Sequence, residues 1–216
     1  MNLLSFRTLG EKGGPFYDPG APNAAENGYV RALAAEIQIN DIDTETGDII
    51  QRPGIAADKF PNPYPNATAA AAANGGAAPP DLSVMAKARH DGANYMYSLL
   101  TGYYAVPAGL RMSPTQYYNA YMPGDLAPFM PEGVETPPGG FIAMPNPLAD
   151  GQVTYDDGTT ASVDQMAKDV SAFIAWASEP HQVQRKQTGM GVLAFLFIFA
   201  GLTYASYRKI WKGVAH

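Results

Sequence analysis

Three methionines, Met122, Met130 and Met144, lie in or beside a segment with seven prolines between Pro123 and Pro147. Proline fixes the backbone φ angle, so a loop rich in proline can present a side chain at a fixed position. A methionine thioether is a soft ligand for a transition metal. The residue types leave the three sulfurs equivalent, because a methionine in such a loop can equally fill a gap in the core.

Other residue types that carry chemistry are scarce. The chain has no cysteine, which excludes disulfides, thiolate metal sites and a cysteine nucleophile among these residues. Three histidines are too few for a typical zinc site, and we expect His90 to be a surface or capping residue. Asp156-Asp157 could act as an acid–base pair, but the adjacent Gly158 favours a solvated turn. We predict no catalytic residue in this chain.

The charges are divided between two segments. Residues 1–184 carry nine basic and all 20 acidic residues, a formal charge of −11, whereas residues 185–216 carry five basic residues. The net charge of −6 excludes a typical nucleic-acid-binding protein. With 46% hydrophobic and 16% charged residues, the chain is not intrinsically disordered.

An uncharged stretch of 21 residues runs from Gln187 to Tyr207 between two basic clusters. As a helix at about 1.5 Å per residue it spans about 31 Å, close to the bilayer core of about 30 Å. Tyr204, Tyr207 and Trp211 are placed for an interfacial aromatic belt. We predict a membrane anchor over residues 185–216 and a soluble head over residues 1–184. More basic residues follow the span than precede it, which favours a cytoplasmic C-terminus.

Apolar spacing predicts head helices over about 27–39, 82–90, 93–102 and 163–177, and an alanine-rich segment allows a short helix ending near Asn74. Asp81 is a candidate cap for the second helix, and Ser162 with Gln165 has the form of a capping box for the last. Residues 1–22, 40–65 and 103–150 read as loop, and a small hairpin could turn at Asp157-Gly158.

These elements predict a mostly α head with long irregular loops, plus one C-terminal transmembrane helix. A long segment without regular structure inside a compact domain is usually functional or wrapped around something. A large, flat, apolar cofactor would give such loops a surface on which to pack.

Several short sequence groups occur in a fixed order along the chain. They are Tyr64-Pro65-Asn66, Pro79 to Ser83, Ala88-Arg89-His90 with Ser98 to Tyr103, Ala143-Met144-Pro145, Val153 to Thr159, and Met166 to Pro180. Together they resemble the cytochrome c1 family, the haem-bearing subunit of the ubiquinol–cytochrome c reductase complex. The resemblance runs from about Phe6 to the anchor, and it implies a cytochrome c-like head.

One departure from the family concerns the cofactor. The family binds haem c through Cys-x-x-Cys-His, whereas this sequence has no cysteine. We expect Met1 to be an internal methionine of a longer protein, with the attachment motif and the proximal histidine upstream of it. The alternative is a haem-free, membrane-anchored docking or assembly protein. If a first helix lies upstream, Val170 and Phe173 of the last head helix should be unusually exposed.

The resemblance also implies a set of haem-binding residues. It assigns Met144 as the distal axial ligand of the iron and Arg89 as a donor to a haem propionate. It makes Tyr95 a contact of the haem pocket and Pro79 and Pro80 part of the pocket wall. Without the resemblance, Arg89 would be a solvated surface residue and the other three would be structural.

The implied function is electron transfer. The protein would accept an electron from the Rieske iron–sulfur subunit and pass it through haem c to a soluble cytochrome c, in a complex that also contains cytochrome b. The implied location is the bacterial inner membrane, with the head in the periplasm, or the mitochondrial inner membrane. The acidic head would attract a basic carrier, although acidic loops also simply keep a protein soluble.

Overall fold

The computed structural model describes residues 4–213, and the chain divides into two units, Met1–Ser178 and Glu179–His216. The fold is mostly α with long irregular loops and one long apolar C-terminal helix, as predicted. The helices are α1 (Phe6–Gly10), α2 (Gly28–Ala35), α3 (Ala67–Ala73), α4 (Met85–Ala88), α5 (Gly92–Thr101), α6 (Val163–Ser178) and, in the second unit, α7 (Gln182–Trp211). The strands are β1 (Gln38–Ile42), β2 (Ile49–Pro53), β3 (Tyr117–Asn119) and β4 (Gly140–Ile142).

Two pairs of antiparallel strands replace parts of the predicted loops. The helix expected to reach residue 39 ends at Ala35, and β1 then pairs with β2 in a register that places Ile42 opposite Ile49. The Asp43 carboxylate closes the turn between them by accepting from the Glu45 amide at 2.8 Å. In residues 103–150, β3 pairs with β4. The possible hairpin at residues 153–158 is only a turn, in which the Gly158 amide donates to the Tyr155 carbonyl.

Side-chain caps set the start of several helices. Asn27 accepts hydrogen bonds from the amides of residues 29 and 30, and Asp81 accepts one from the Ser83 amide. The Asp81 cap opens a 3-10 turn over Leu82–Val84 rather than an α-helix, and α4 then ends at Ala88. Ser162 accepts from the Gln165 amide, but the Gln165 side chain donates to Asp169, so only half of the capping box forms.

Two clusters of buried apolar side chains hold the head together. The first consists of Phe6, Leu9, Val30, Ala34 and Ala56, and the second of Met85, Met96 and Ile174. Both clusters involve α6, because Ile174 belongs to the second, and Phe173 and Trp176 pack against the first. α6 therefore connects the two halves of the core.

The buried face of α6 does not consist only of the apolar residues whose spacing predicted the helix. Small residues, Ala167, Ser171, Ala177 and Ser178, join Met166 and Ile174 on the buried side. Val170 is 40% exposed, and Phe173 is half-buried, its ring centroid 5.6 Å from that of Trp176. Small side chains allow close approach of a neighbouring helix, which is consistent with the dense packing of α6 against α5.

The second unit contains one helix, α7, which is long and apolar enough to cross a membrane. Its apolar side chains are exposed, including Phe197 and Ile198 near the middle of the uncharged stretch. The Thr203 hydroxyl donates to the Phe199 carbonyl one turn earlier in the same helix. Arg185 forms an ion pair with Glu179 near the start of this unit.

The β1–β2 hairpin is tied to the following loop by Arg52. Its guanidinium donates to the Asp58 carboxylate at 2.7 and 3.0 Å and to the Asp41 carboxylate at 2.5 Å. These hydrogen bonds lower the pKa of both carboxyl groups. Two strands alone are marginally stable in water, and this contact adds to the pairing that holds the hairpin.

We predict that Phe6→Ala lowers the free energy of unfolding of the head by about 3–5 kcal/mol. Phe6 is fully buried and its ring lies 4.5 Å from that of Phe60, so truncation leaves a cavity. Denaturation with urea in detergent measures the change. The matched control is Phe16→Ala, which removes a 40% exposed ring and should have less than half the effect of Phe6→Ala.

The Arg52 contact also predicts a pH dependence. Since folding lowers the pKa of Asp58 from 3.8, its stabilising contribution is present above that pH and is lost as the pH falls through the folded-state pKa. Asp58→Asn should therefore be less stable than the parent at pH 7, and the difference should shrink below about pH 4. Glu132→Gln, at an exposed residue without an ion pair among the described residues, is the control. A constant difference down to pH 2 would contradict the assignment.

Candidate functional site

Met144 lies in a loop that directly follows β4. Its side chain is 38% exposed, and Pro145 and Pro147 follow it in the chain. The Met144 carbonyl accepts a hydrogen bond of 3.0 Å from the Tyr103 hydroxyl. The backbone at Met144 is thus held while the residue itself stays exposed.

The other two methionines of the proline-rich region are placed differently. Met130 is buried, and the sulfur of Met122 accepts a hydrogen bond of 3.8 Å from the Tyr95 hydroxyl. A buried sulfur surrounded by core atoms cannot approach a ligand without rearrangement. Of the three residues, Met144 is therefore the most exposed.

Arg89, Pro79 and Pro80 lie on the surface of the segment that contains α4. Arg89 follows the last residue of α4, is exposed, and donates from its guanidinium to the Ala88 carbonyl at 3.2 Å. The two prolines are exposed and immediately precede Asp81. The Arg89 guanidinium forms no ion pair with any residue that the structure describes, so its fork of donors is open to a carboxylate.

Tyr95 lies in the first half of α5. Its ring packs beside the cluster of Met85, Met96 and Ile174, while its hydroxyl contacts Met122. Tyr95 is therefore half-buried and connects the core to the loop that follows β3.

The structure does not join all the predicted site residues directly. Within residues 4–213, no hydrogen bond joins Met144 to Arg89 or Tyr95. Pro79, Pro80 and Arg89 flank the 3-10 turn and α4, and Tyr95 follows on α5. Met144 is connected to this group through Tyr103, which lies at the C-terminal end of α5.

Sequence reasoning assigned no role to Tyr103 or Asn119. Burial raises the pKa of the Tyr103 hydroxyl to about 12, so it remains a donor at neutral pH. Asn119 is fully buried and donates to the Leu99 carbonyl at 2.7 Å. Tyr103 could have been noticed because it ends one of the sequence groups that carry the family resemblance, Ser98 to Tyr103. No local pattern indicates that its hydroxyl contacts Met144.

The remaining candidates from the sequence lie on the surface. His90 is exposed. The Asp157 carboxylate accepts a hydrogen bond from the Thr159 amide, which lowers its pKa, as expected in a solvated turn. Among residues 4–213, no three side chains of His, Cys, Asp or Glu are close enough together to hold a metal ion.

Met144 and Arg89 are residue types that could hold a haem iron and a propionate, whereas the chain offers no residue for covalent attachment. Met144 offers a thioether on an exposed residue, and Arg89 offers a guanidinium that forms no ion pair with the described residues. Neither thioether bond to haem c can form with these 216 residues, because they contain no cysteine.

Comparison with known proteins gives a family match over almost the whole chain. The model of the Cytochrome C1 family matches residues 1–214. "Cytochrome c1-2, heme protein, mitochondrial" of Solanum tuberosum is 45% identical over 210 residues, and "Cytochrome c1 1, heme protein, mitochondrial" of Arabidopsis thaliana is 44% identical over 210 residues; each alignment covers 97% of this chain. "Cytochrome b/c1" of Bradyrhizobium diazoefficiens is 41% identical over 230 residues, covering 98% of this chain. The chain spans 70%, 60% and 30% of these relatives, respectively.

The accessibility of the sulfurs predicts an order of oxidation. In the chain without haem, dilute hydrogen peroxide should convert Met144 to the sulfoxide several-fold faster than Met130, which is 7% exposed. Mass spectrometry of proteolytic peptides measures both rates in one sample. Equal rates for the two methionines would show that the Met144 sulfur is not more accessible than a core sulfur.

Proposed function

Because this chain belongs to the cytochrome c1 family, we propose that it is the haem-bearing electron-transfer subunit of a quinol–cytochrome c reductase complex. The match of the family over residues 1–214 carries the proposal. In this role the protein receives one electron from the Rieske iron–sulfur subunit and delivers it to a soluble cytochrome c, with cytochrome b as a further partner. Haem c supplies a one-electron iron centre, and the chain makes and breaks no substrate bond.

Met144 is the distal axial ligand in this proposal. A neutral thioether is soft, so it favours ferrous over ferric iron and raises the reduction potential relative to a harder ligand. The exposure of Met144 and the hydrogen bond that holds its carbonyl support this role. The hydrogen bond from Tyr95 to the Met122 sulfur and the burial of Met130 argue against the other two methionines.

Arg89 orients the cofactor through a propionate. Its planar guanidinium matches the geometry of a carboxylate and remains charged at any physiological pH. The guanidinium is exposed beside α4, where it is available for this contact. In this proposal Pro79, Pro80 and Tyr95 contribute to the wall of the haem pocket, with the prolines limiting backbone motion.

The charge of residues 1–184 serves the encounter with the carrier. A formal charge of −11 attracts a basic soluble cytochrome c and raises the association rate at low ionic strength. Residues 185–216 anchor the head to the membrane, which restricts diffusion of the head to two dimensions. The basic residues after the span favour a C-terminus in the cytoplasm and a head in the periplasm, or in the equivalent mitochondrial compartment.

The proposal is tested on the protein isolated from its native membranes. It predicts the absorption spectrum of a low-spin c-type haem that co-purifies with the polypeptide. Purification of the folded, membrane-bound polypeptide without haem absorption would overturn the proposal. That outcome would favour the haem-free docking or assembly protein, because such a protein needs only the anchor and the acidic surface.

Replacing Met144 tests the ligand separately. Met144→Leu removes the sulfur with little change in volume, so the sulfur-to-iron charge-transfer band should disappear. The reduction potential should fall by about 0.1–0.3 V, part of the range of about 0.8 V that axial ligands cover. Optical redox titration measures both effects. Met122→Leu is the matched control and should retain the band; loss of the band only in Met122→Leu would assign the ligand to Met122.

A further inference from the structure

The loop that carries Met144 is joined to α5 by a single side chain. The Tyr103 hydroxyl donates to the Met144 carbonyl at 3.0 Å, although the residues are 41 positions apart in the sequence. Within the part of the chain that the structure describes, this is the hydrogen bond that holds residues 143–147 to another element. The conformation of this loop therefore depends on Tyr103.

Tyr103 is attached to a rigid part of the head. The preceding turn of α5 is fixed by Asn119, whose side-chain amide donates to the Leu99 carbonyl at 2.7 Å. The Ala120 amide donates to the Gly102 carbonyl at 3.0 Å. A Cβ atom on Gly102 would lie 2.6 Å from the Asn119 Oδ1 atom, so the two segments are in close contact. The backbone next to Tyr103 thus cannot shift without disturbing a buried amide.

The loop is fixed on its N-terminal side by β4. Ile142 pairs with Tyr117, and the Phe141 ring packs edge-on against Phe129 with centroids 5.0 Å apart. Only Ala143 separates the end of β4 from Met144. The strand and the Tyr103 hydroxyl together define the position of the Met144 backbone.

We infer that Tyr103 is a positioning residue for the sulfur of Met144. This inference rests on the proposed function, in which that sulfur binds the haem iron. Methionine has a flexible side chain, so a fixed backbone leaves the sulfur fewer positions to occupy. Without the hydroxyl, the loop moves more freely and the sulfur is displaced more often by another ligand.

The test compares Tyr103→Phe with the parent in the haem-containing protein isolated from native membranes. Phenylalanine keeps the ring and removes only the donor. The fraction of ferrous protein that binds carbon monoxide should rise about two- to tenfold, the factor expected for loss of one neutral hydrogen bond. Oxidation of Met144 by peroxide in the haem-containing protein should accelerate by a similar factor, which gives a second readout.

Tyr118→Phe is the matched control. The Tyr118 hydroxyl donates to the Pro138 carbonyl at 2.7 Å, so the variant also removes a tyrosine–carbonyl hydrogen bond near β3 without touching Met144. We expect it to bind carbon monoxide as the parent does. Circular dichroism at the working temperature establishes that both variants are folded.

The outcomes separate the inference from the function on which it rests. If Tyr103→Phe matches the parent in both readouts while Met144→Leu loses the charge-transfer band, the positioning role is wrong and the ligand assignment stands. Equal increases in carbon monoxide binding by Tyr103→Phe and Tyr118→Phe would also overturn the positioning role. Such a result would mean that loss of either hydrogen bond loosens the head in general. If Met144→Leu retains the band, the ligand assignment itself fails.

Discussion

The buried amide of Asn119 holds together the part of the head that has the least regular structure. Its side chain donates to the carbonyl of Leu99 near the end of α5, and its side-chain oxygen accepts from the Tyr121 amide. A helix end leaves carbonyl groups without partners, and a loop has backbone groups to satisfy; here one side chain serves both. Gly139, with φ of +105°, allows this arrangement, because a Cβ atom there would lie 2.3 Å from the Asn119 carbonyl.

This constraint explains how a proline-rich segment can present a sulfur. Prolines stiffen the segment but contribute no hydrogen-bond donor, so its position must be set by donors elsewhere. Tyr103 supplies such a donor to Met144 after β4, whereas Tyr118 donates to Pro138 before β4. Tyr103 lies next to Gly102, which Asn119 contacts, so the position of the Met144 backbone derives from the end of α5.

Features that depend on residues close together in the chain could be predicted from the sequence. α6 and α7 follow from periodicity and from an uncharged stretch, and the caps at Asp81 and Ser162 follow from residue type. The β1–β2 hairpin was missed, and its contacts of Arg52 with Asp41 and Asp58 are of a kind that a local pattern does not reveal. The Tyr103–Met144 hydrogen bond joins residues far apart in the chain and required the fold. The identity of the sulfur came from resemblance, since the residue types alone left three candidates.

The hydrogen bond from Thr203 to Phe199 within α7 has a consequence for biogenesis. A hydroxyl in hydrocarbon is costly when it lacks an acceptor, and many membrane helices meet that need by pairing with another helix. Here the acceptor is a carbonyl of the same helix, so Thr203 can leave the translocon already satisfied. The remaining hydroxyls near the end of the stretch, on Tyr204, Ser206 and Tyr207, lie within four residues of Arg208 in the sequence, on the side where lipid headgroups and water begin. The hydroxyl of Thr203 therefore requires no second helix for α7 to enter the bilayer.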